Sequence, residues 1–401
     1  MLQLKQTITP VSLTYRIVTP MFLGGANHEA KDIRPASVKG MLRFWWRAQN
    51  WASCYRESQD NMAEALKKLH AKECRLFGHA ADNDNNSGQG CFLLKVDNQE
   101  LKLGKPSCTN FSPLSYMLGQ GLFDRDVTRD AIMTGKFTLH ILFKPSANDD
   151  ERKEVLDAAK LFGLIGSLGG RSRRGWGSVV MESIGENNIL NPFDVKQYSK
   201  MIEELINTDS NQLPTFSAFS AKTKFSYDIT ESKPINAINS VGLRLGIFRS
   251  YGRNGKTFNK TALKNFISDH DLVLNVTKGN SEHYAPKRLI FGIPHNYFFS
   301  SSSRKVNIQK THEHKLERRA SPLFVHIHPI GNEYCGLQFV LPSMFLPDHE
   351  QITMERPKGV KKDKDTKEIT ERWNEFSCNA NFNPDWSIFD DYFKFVKTFK
   401  G

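Results

Sequence analysis

Apolar and polar residues alternate along the first half of the chain in a pattern that predicts a mixed α/β domain. Residues 11–18 (VSLTYRIV) alternate with a period of two, and 91–96, 136–144 and 176–184 indicate three further strands. Two segments with apolar residues at helical spacing begin near Ser37 and near residue 151. The order strand, helix, strand, strand, helix, strand is that of a ferredoxin-like domain with insertions.

The second half predicts another α/β domain after a polar connector. Residues 240–250 (SVGLRLGIFRS) indicate a helix, and PLFVHIHPI and CGLQFVLP indicate strands. The almost purely charged segment 356–372 is expected to be a mobile loop before a terminal helix rich in Phe and Tyr. We therefore expect an α+β protein with two tandem ferredoxin-like (RRM-like) domains and insertions. The predicted divisions are an N-terminal domain over 1–185, a connector over 186–214 with one short helix, and a C-terminal domain over 215–401.

Charge indicates an anionic partner. The chain has 55 Lys or Arg against 43 Asp or Glu, a net charge of +12. No run of about 18 apolar residues exists and the first residues lack an apolar signal core, so nucleic acid is favoured over a membrane. The six cysteines are scattered without a C-x-x-C pair, which favours free thiols in a reducing cytoplasm over disulfides or a zinc site.

The helix over 33–51 (IRPASVKGMLRFWWRAQNW) carries candidate phosphate ligands. Ser37 is expected to cap it, so that first-turn amides can bind a phosphate. Trp45 and Trp46 are expected to lie in the core. Three basic residues spaced by four share one helix face: Lys39, Arg43 and Arg47.

A second candidate is the loop over 163–179 (GLIGSLGGRSRRGWGSV), which holds six glycines and three arginines between a helix and a strand. Glycines let the backbone approach an anion closely and present amides to it. Arginine adds bidentate phosphate recognition. Neither G-x-x-x-x-G-K-[ST] nor a G-x-G-x-x-G that opens a helix occurs, which argues against nucleotide hydrolysis.

These two features closely resemble the RAMP proteins of CRISPR systems, whose ferredoxin-like domains carry a basic S-x-K-G helix start and a glycine-rich loop after the second helix. The resemblance rests on TPMFLGG (19–25), IRPASVKGMLRFWWRA (33–48) and GGRSRRGWG (169–177). It is strongest to the first-numbered, tandem-domain subunit family of the type III-B (Cmr) effector complex. FGIP (291–294) and RRASPL (318–323) also fit the second domain of that family, so the resemblance runs from about residue 12 to 345.

The resemblance implies a non-catalytic subunit near the 3′ end of the guide RNA, which helps to engage target RNA in antiviral defence. Its partners would be guide RNA, target RNA and the other subunits of a complex in the prokaryotic cytoplasm. It implies no cofactor, no metal, no membrane and no small-molecule substrate. The RNA-binding residues it implies are Arg34, Ser37, Lys39, Arg43, Gly169, Gly170, Arg171, Arg173, Arg174, Gly175, Arg318 and Arg319.

A third region is basic and aromatic. Residues 241–320 hold 15 Lys or Arg against 5 Asp or Glu, a net charge of +10. Aromatic residues interleave with these charges, as in sites for single-stranded RNA. They include Phe248, Tyr251, Phe258, Tyr284, Phe291, Tyr297, Phe298 and Phe299.

Two other functions stay open. A RAMP endoribonuclease could cleave guide precursor or target RNA through His28 or Asp32, either of which could assist attack by a 2′-hydroxyl. The chain could instead be a protein-binding scaffold whose charge is incidental. The pairs His312/His314 and His326/His328 could suggest a metal, but no carboxylate or cysteine lies at supporting spacing, and strand or loop histidines are favoured.

Overall fold

The computed structural model describes residues 9–25, 29–80, 88–251, 256–312, 315–346, 350–363 and 365–399. The strands in these ranges are β1 Val11–Ile17, β2 Gly78–His79, β3 Gly88–Gln89, β4 Phe92–Gly104, β5 Phe123–Asp124, β6 Asp126–Val127, β7 Ala131–Phe143, β8 Val179–Ile184, β9 Asn187–Asn188, β10 Lys224–Ser226, β11 Thr230–Glu231, β12 Lys256–Thr257, β13 Lys260–Thr261, β14 His295–Phe299, β15 Arg304–His312, β16 Lys315–Glu317, β17 Leu323–Ile330, β18 Glu333–Val340, β19 Ile352–Arg356, β20 Gly359–Lys362, β21 Ile369–Trp373 and β22 Phe376–Ala380.

The helices are α1 Pro35–Glu57, α2 Met62–Phe77, α3 Pro113–Leu118, α4 Asp149–Ile165, α5 Val195–Glu203, α6 Pro234–Phe248, α7 Ile267–Thr277 and α8 Ser387–Thr398. Two short 3-10 helices cover Ser172–Arg174 and Lys287–Phe291.

The N-terminal sheet has the ferredoxin-like topology that the sequence predicts. Its antiparallel strands lie in the order β4-β7-β1-β8-β9, and α1 and α4 are the two crossover helices. The first strand therefore lies between the third and fourth strands of the motif. This order places the loop before α1 and the loop after α4 at the same end of β1, because β8 is antiparallel to β1.

The helices cover one face of this sheet because alternate strand residues are large and apolar. The ring of Tyr15 on β1 stacks on Phe137 of β7 with 5.1 Å between centroids, and it also packs against Phe162 of α4. The Tyr15 hydroxyl donates to the carbonyl of Ala159 at 3.0 Å, so its one polar atom is satisfied in the core. An Asn148–Glu151 capping box begins α4.

The second half repeats part of this order with β10 and β11, then α6, and then β17 and β18, but β12 to β16 and α7 are inserted between α6 and β17. Along β18, Lys224 faces Val340 and Thr230 faces Cys335, so β10 and β11 pair with one strand. β17 also pairs with β18. The expected α+β class with antiparallel sheets is confirmed.

The chain divides into two compact units that are interleaved along the sequence. The first unit comprises 1–242 and 324–342, and the second comprises 243–323 and 343–401. This division differs from the predicted connector over 186–214, because β17 and β18 return to the first unit. Phe324 and Phe339 on that hairpin pack around Trp45 of α1 at 6.1 and 6.2 Å.

The second unit contains its own antiparallel sheet, in the order β14-β15-β19-β22, with β16 paired to β15. α7 packs against β15 and β19. The charged segment 356–372 was expected to be a loop, but it forms the hairpin β20–β21, with Gly359 opposite Trp373. Trp373 anchors the hairpin by donating from Nε1 to the carbonyl of Pro357 at 3.0 Å.

Candidate nucleic-acid interface

The helix α1 begins two residues earlier than predicted. Arg34 is the N-cap residue, Pro35 is the first helical residue, and the amide of Ser37 already donates to the carbonyl of Arg34 at 3.0 Å. Proline is common at the first helical position, because its φ angle is already that of a helix and because it has no N–H group that would need an acceptor. The predicted cap at Ser37 is therefore wrong, and Ser37 lies within the first turn.

The start of α1 and the glycine-arginine loop are joined by the segment Pro20–Gly24. The carbonyl of Pro20 accepts from the amide of Gly177 at 2.9 Å, and that of Phe22 accepts from the amide of Gly170 at 2.8 Å. The carbonyl of Gly24 accepts from Nη2 of Arg34 at 3.2 Å. The two features that the sequence analysis singled out are thus neighbours in the first unit.

The glycines of the loop serve close backbone packing. Besides the amides of Gly170 and Gly177, the amide of Gly175 donates to the carbonyl of Val325 at 3.1 Å. A Cβ atom on Gly169, whose φ is +91°, would lie 2.7 Å from the carbonyl oxygen of Phe22. The prediction that the loop presents these amides to an anion is therefore wrong for Gly170 and Gly175, since the protein itself accepts their hydrogen bonds.

Arg171 and Arg174 of this loop hold the segment that follows α3. Arg171 donates from Nη2 to the carbonyl of Gln120, and Arg174 donates from Nη1 to the carbonyl of Tyr116 at 2.9 Å. Burial lowers the pKa of the Arg174 guanidinium, which also lies 5.6 Å from the centre of the Tyr116 ring. Arg171 and Arg174 thus both have structural contacts, and both side chains are half-buried.

Arg173 packs against two aromatic rings. Its guanidinium lies 4.3 Å from the centre of the Phe324 ring and 5.8 Å from that of Phe44 on α1. Such stacking fixes the plane of a guanidinium while leaving charge at its edge. Neither phenylalanine was singled out from the sequence, because their role depends on the hairpin β17–β18 returning to the first unit.

The predicted basic face of α1 differs from the side of α1 that Arg173 contacts through Phe44. Lys39 lies 5.6 Å from the Phe92 ring, and Arg43 donates from Nε to Glu73 Oε1 at 2.7 Å. The step of five residues from Lys39 to Phe44 turns an α-helix by about 140° beyond one full turn. Lys39 and Arg43 therefore point away from Phe44, the α1 residue that Arg173 contacts, and a cleft shared by the three residues stays a prediction.

These basic residues of α1 are used in packing against α2. The Glu73 carboxylate, whose side chain is 6% exposed, also lies 3.7 Å from Nε of Arg47. Burial, and then the neighbouring charge of Arg43, lowers the pKa of Lys39. Trp45 and Trp46 are buried, as expected.

Arg318 and Arg319 belong to the second unit and differ in environment. Arg318 is exposed. Arg319 donates from Nη2 to the hydroxyl of Ser343 and to the carbonyl of Met344, the latter at 2.9 Å, and burial lowers its pKa. Its backbone pairs with that of Ile293. Arg319 therefore has a structural contact in the second unit.

The structure divides the aromatic residues singled out in 241–320 into exposed, half-buried and buried ones. Tyr284 and Phe298 are 67% and 66% exposed. Tyr251 and Phe258 are half-buried. The buried ones are Phe248, Phe291, Tyr297 and Phe299.

The candidate catalytic and metal-binding residues have the following environments. His28 and His314 lie outside the described residues, and Asp32 is exposed. His326 and His328 are buried, with 3.3 Å between Nε2 of the first and Nδ1 of the second, and His328 stacks on Tyr198 at 4.2 Å. Burial lowers the pKa of His326 to about 3. Across the described ranges, no group of three or more His, Cys, Asp or Glu could hold a metal ion.

Within the described ranges, no helix has the length and apolar character needed to cross a membrane.

Comparison with known proteins identifies the N-terminal region. Residues 14–180 match the sequence model of the RAMP superfamily. No curated protein matches the chain.

Among solved structures, the chain is similar to Cmr1 from Pyrococcus furiosus, with 17% identity over 84% of this chain and 90% of that one, at a TM-score of 0.43. It is also similar to a chain of the type III-B Cmr-beta complex bound to cognate target RNA and AMPPnP, with 12% identity over 97% of this chain and 98% of that one, at a TM-score of 0.49. A second Cmr-beta structure bound to cognate target RNA gives 14% identity over 83% and 94%, at a TM-score of 0.43.

Residues 14–180, which include β1, α1, α4 and the glycine-arginine loop, are therefore a RAMP-superfamily domain. This confirms the family that the sequence motifs predict.

Proposed function

We propose that this RAMP-domain protein is a non-catalytic RNA-binding subunit of a type III-B CRISPR effector complex. It would lie near the 3′ end of the guide RNA in the prokaryotic cytoplasm and help neighbouring subunits to engage target RNA. The assignment to that complex rests on the motif resemblance over residues 19–25, 33–48 and 169–177.

The observation that carries RNA binding is the connection made by Pro20–Gly24. This segment brings Arg34, which is exposed, beside the loop that carries Arg171 and Arg173. Arginines carried by two segments that are joined in this way suit a run of phosphates, because a guanidinium group can bind phosphate oxygens in a bidentate manner. Such contacts fix the position of RNA without reading its sequence.

The other predicted contacts rank lower in this proposal. Lys39 and Arg43 lie on another side of α1, Arg174 and Arg319 bind carbonyl oxygens, and the amides of Gly170 and Gly175 are used within the fold. Ser37, Gly169 and Arg318 remain candidates. Ser37 lies in the first turn of α1, and Arg318 is exposed.

Binding to labelled single-stranded RNA over a salt series tests the phosphate contacts. Each phosphate neutralised on a single strand contributes about −0.7 to the slope of log affinity against log salt. The double variant Arg34→Gln/Arg173→Gln should therefore flatten the slope by about 1.4. Arg56→Gln is the matched control, because Arg56 is 64% exposed near the other end of α1. A slope that the double variant leaves unchanged removes both arginines from the interface.

Assignment to the complex and the absence of cleavage need separate tests. Co-purification from the native host should recover guide RNAs with a repeat-derived tag together with the companion subunits, and recovery of neither contradicts the assignment. Purified protein should leave labelled precursor and target RNA intact without metal. Cleavage that His28→Ala or Asp32→Ala abolishes would establish a nuclease instead.

A further inference from the structure

The sheet of the second unit has one buried face and one open face. Side chains alternate between the two faces of a strand, and Tyr297, Val306, Ile308, Ile352 and Met354 all lie on the buried face. α7 packs on that side. The alternate residues of β14, β15, β19 and β22 therefore point away from the core of this unit.

The open face is rich in amides. We call it the amide face and define it by Asn296, Phe298, Lys305, Asn307, Gln309 and Asn379. Asn296 faces Asn307, and Phe298 faces Lys305, across β14 and β15. On the far strands, Thr353 donates from Oγ1 to Oδ1 of Asn379 at 3.0 Å. Side chains directly opposite each other on antiparallel strands have Cβ atoms about 5 Å apart, so these groups form one continuous surface.

Phe298 distinguishes this face from an ordinary solvated sheet surface. It is 66% exposed on the edge strand β14, although its neighbours in sequence, Tyr297 and Phe299, are buried. Its cross-strand partner Lys305 is also exposed. An exposed aromatic ring beside a cation suits a stacked base with its phosphate, and sites for single-stranded nucleic acid combine these two groups.

The positive charge around this face also favours single-stranded nucleic acid as its ligand. The surrounding segment 241–320 has a net charge of +10. At the turn between β14 and β15, Lys361 of the hairpin β20–β21 donates from Nζ to the carbonyl of Ser301 at 3.0 Å, which adds a cation near the Phe298 end of the sheet. Glu355 lies opposite Asn307 and therefore on the same face. Its carboxylate can accept a hydrogen bond from the amino group of a base, whereas it would repel a phosphate.

We infer that the amide face binds unpaired bases of single-stranded RNA, with one base stacked on Phe298 and with Asn296, Asn307 and Gln309 hydrogen-bonded to base edges. The inference rests on the proposed RNA-binding function and adds a second contact surface to it. Three spacings between strands, and the two steps from Lys305 to Asn307 and from Asn307 to Gln309 along β15, give a surface of about 14 Å by 14 Å. That area suits two or three bases, the number that stack on other four-stranded sheets.

The test uses the full chain and two forms of one labelled RNA, one unmodified and one with a run of abasic nucleotides. Stacking of one base predicts that Phe298→Ala weakens binding of unmodified RNA by about fivefold or more. Because stacking releases no counterions, the salt slope should stay as in the wild type. Abasic RNA should bind the wild type more weakly, and Phe298→Ala should then add no further loss.

Matched variants make the outcome specific. Phe193→Ala removes a phenylalanine that is 87% exposed in the first unit and should bind like the wild type. Phe298→Tyr keeps an aromatic ring that can stack on a base, so it should bind unmodified RNA like the wild type. The inference is overturned if Phe298→Ala binds unmodified RNA like Phe193→Ala, or if it weakens abasic and unmodified RNA equally. Failure of this inference alone leaves the salt effect of Arg34→Gln/Arg173→Gln intact, whereas failure of the proposed function removes RNA binding by the wild type.

Discussion

Gly177 gives a quantitative test of the claim that the glycine-arginine loop is shaped by close backbone contact. Its φ is +70°, and a Cβ atom there would lie 2.0 Å from the carbonyl oxygen of Leu168. Gly177→Ala must therefore move the backbone. This movement would disrupt the hydrogen bonds from the Leu168 amide to the Gly177 carbonyl and from the Gly177 amide to the Pro20 carbonyl, both 2.9 Å.

The expected loss of stability is the sum of a conformational cost and the cost of these two hydrogen bonds. A left-handed conformation costs a residue with a side chain about 1–2 kcal/mol. Two weakened hydrogen bonds add about 1 kcal/mol each, and more if their groups stay buried without a partner. The total is about 4 kcal/mol, which for a unit of this size lowers the melting temperature by about 8–16 °C.

Tryptophan fluorescence can follow this transition, because Trp45, Trp46, Trp51 and Trp176 are all buried in the first unit. Gly185→Ala is the matched control. Its φ is +60°, but a Cβ atom there would meet no atom within 4 Å. Only the conformational cost of about 1–2 kcal/mol should then appear. Equal melting temperatures for the two variants would refute the reasoning.

Two further predictions concern buried ionisable groups of the first unit. Glu73→Gln should lower the free energy of unfolding by about 2 kcal/mol, because Arg43 loses a charge-assisted hydrogen bond of 2.7 Å. The control Glu57→Gln, at a surface ion pair, should lower it by about 0.5 kcal/mol. Equal urea midpoints for the two variants would contradict this prediction. His326 has a pKa of about 3 when folded, below its ordinary value, so the unfolded chain binds the proton and stability is lost as the pH falls from about 6.5 towards 3. Between pH 7.5 and pH 5, protonation of this one histidine in the unfolded chain should lower the free energy of unfolding by about 2 kcal/mol. In His326→Met, the urea midpoint should fall less over this pH range, by an amount that corresponds to that difference in free energy. An unchanged dependence on pH would show that another group titrates.

Periodicity predicted the four main strands and the two crossover helices of the N-terminal fold, because each of them has its own apolar pattern, whereas α2 and α3 were not predicted. Val11–Ile17 and Val195–Glu203 lie within the segments where a strand and a short helix were expected. The pairing order of the strands followed from the order of the elements, since short connections leave few alternatives. The resemblance then identified the family correctly, because the motifs lie on the start of α1 and on the loop after α4.

The details of the candidate site depended on contacts between distant residues. Spacing by four correctly placed Lys39 and Arg43 on one face of α1, but whether that face meets Glu73 or solvent depends on how α2 packs. Likewise, the glycine pattern predicts a tight backbone without saying which carbonyl groups accept from its amides. The charged segment 356–372 was predicted to be a loop because its hairpin lacks an apolar face, and it is tethered by Trp373 and Lys361 instead.

The interleaving of the two units has a consequence for synthesis on the ribosome. The core around Trp45 includes Phe324 and Phe339, which are translated only after the whole segment 243–323 of the second unit. A nascent chain that ends before residue 324 therefore exposes part of the apolar surface of its first unit. The ferredoxin-like domain at the N-terminus can complete its packing only after residue 342 has left the exit tunnel, so folding of this unit should begin early and finish late.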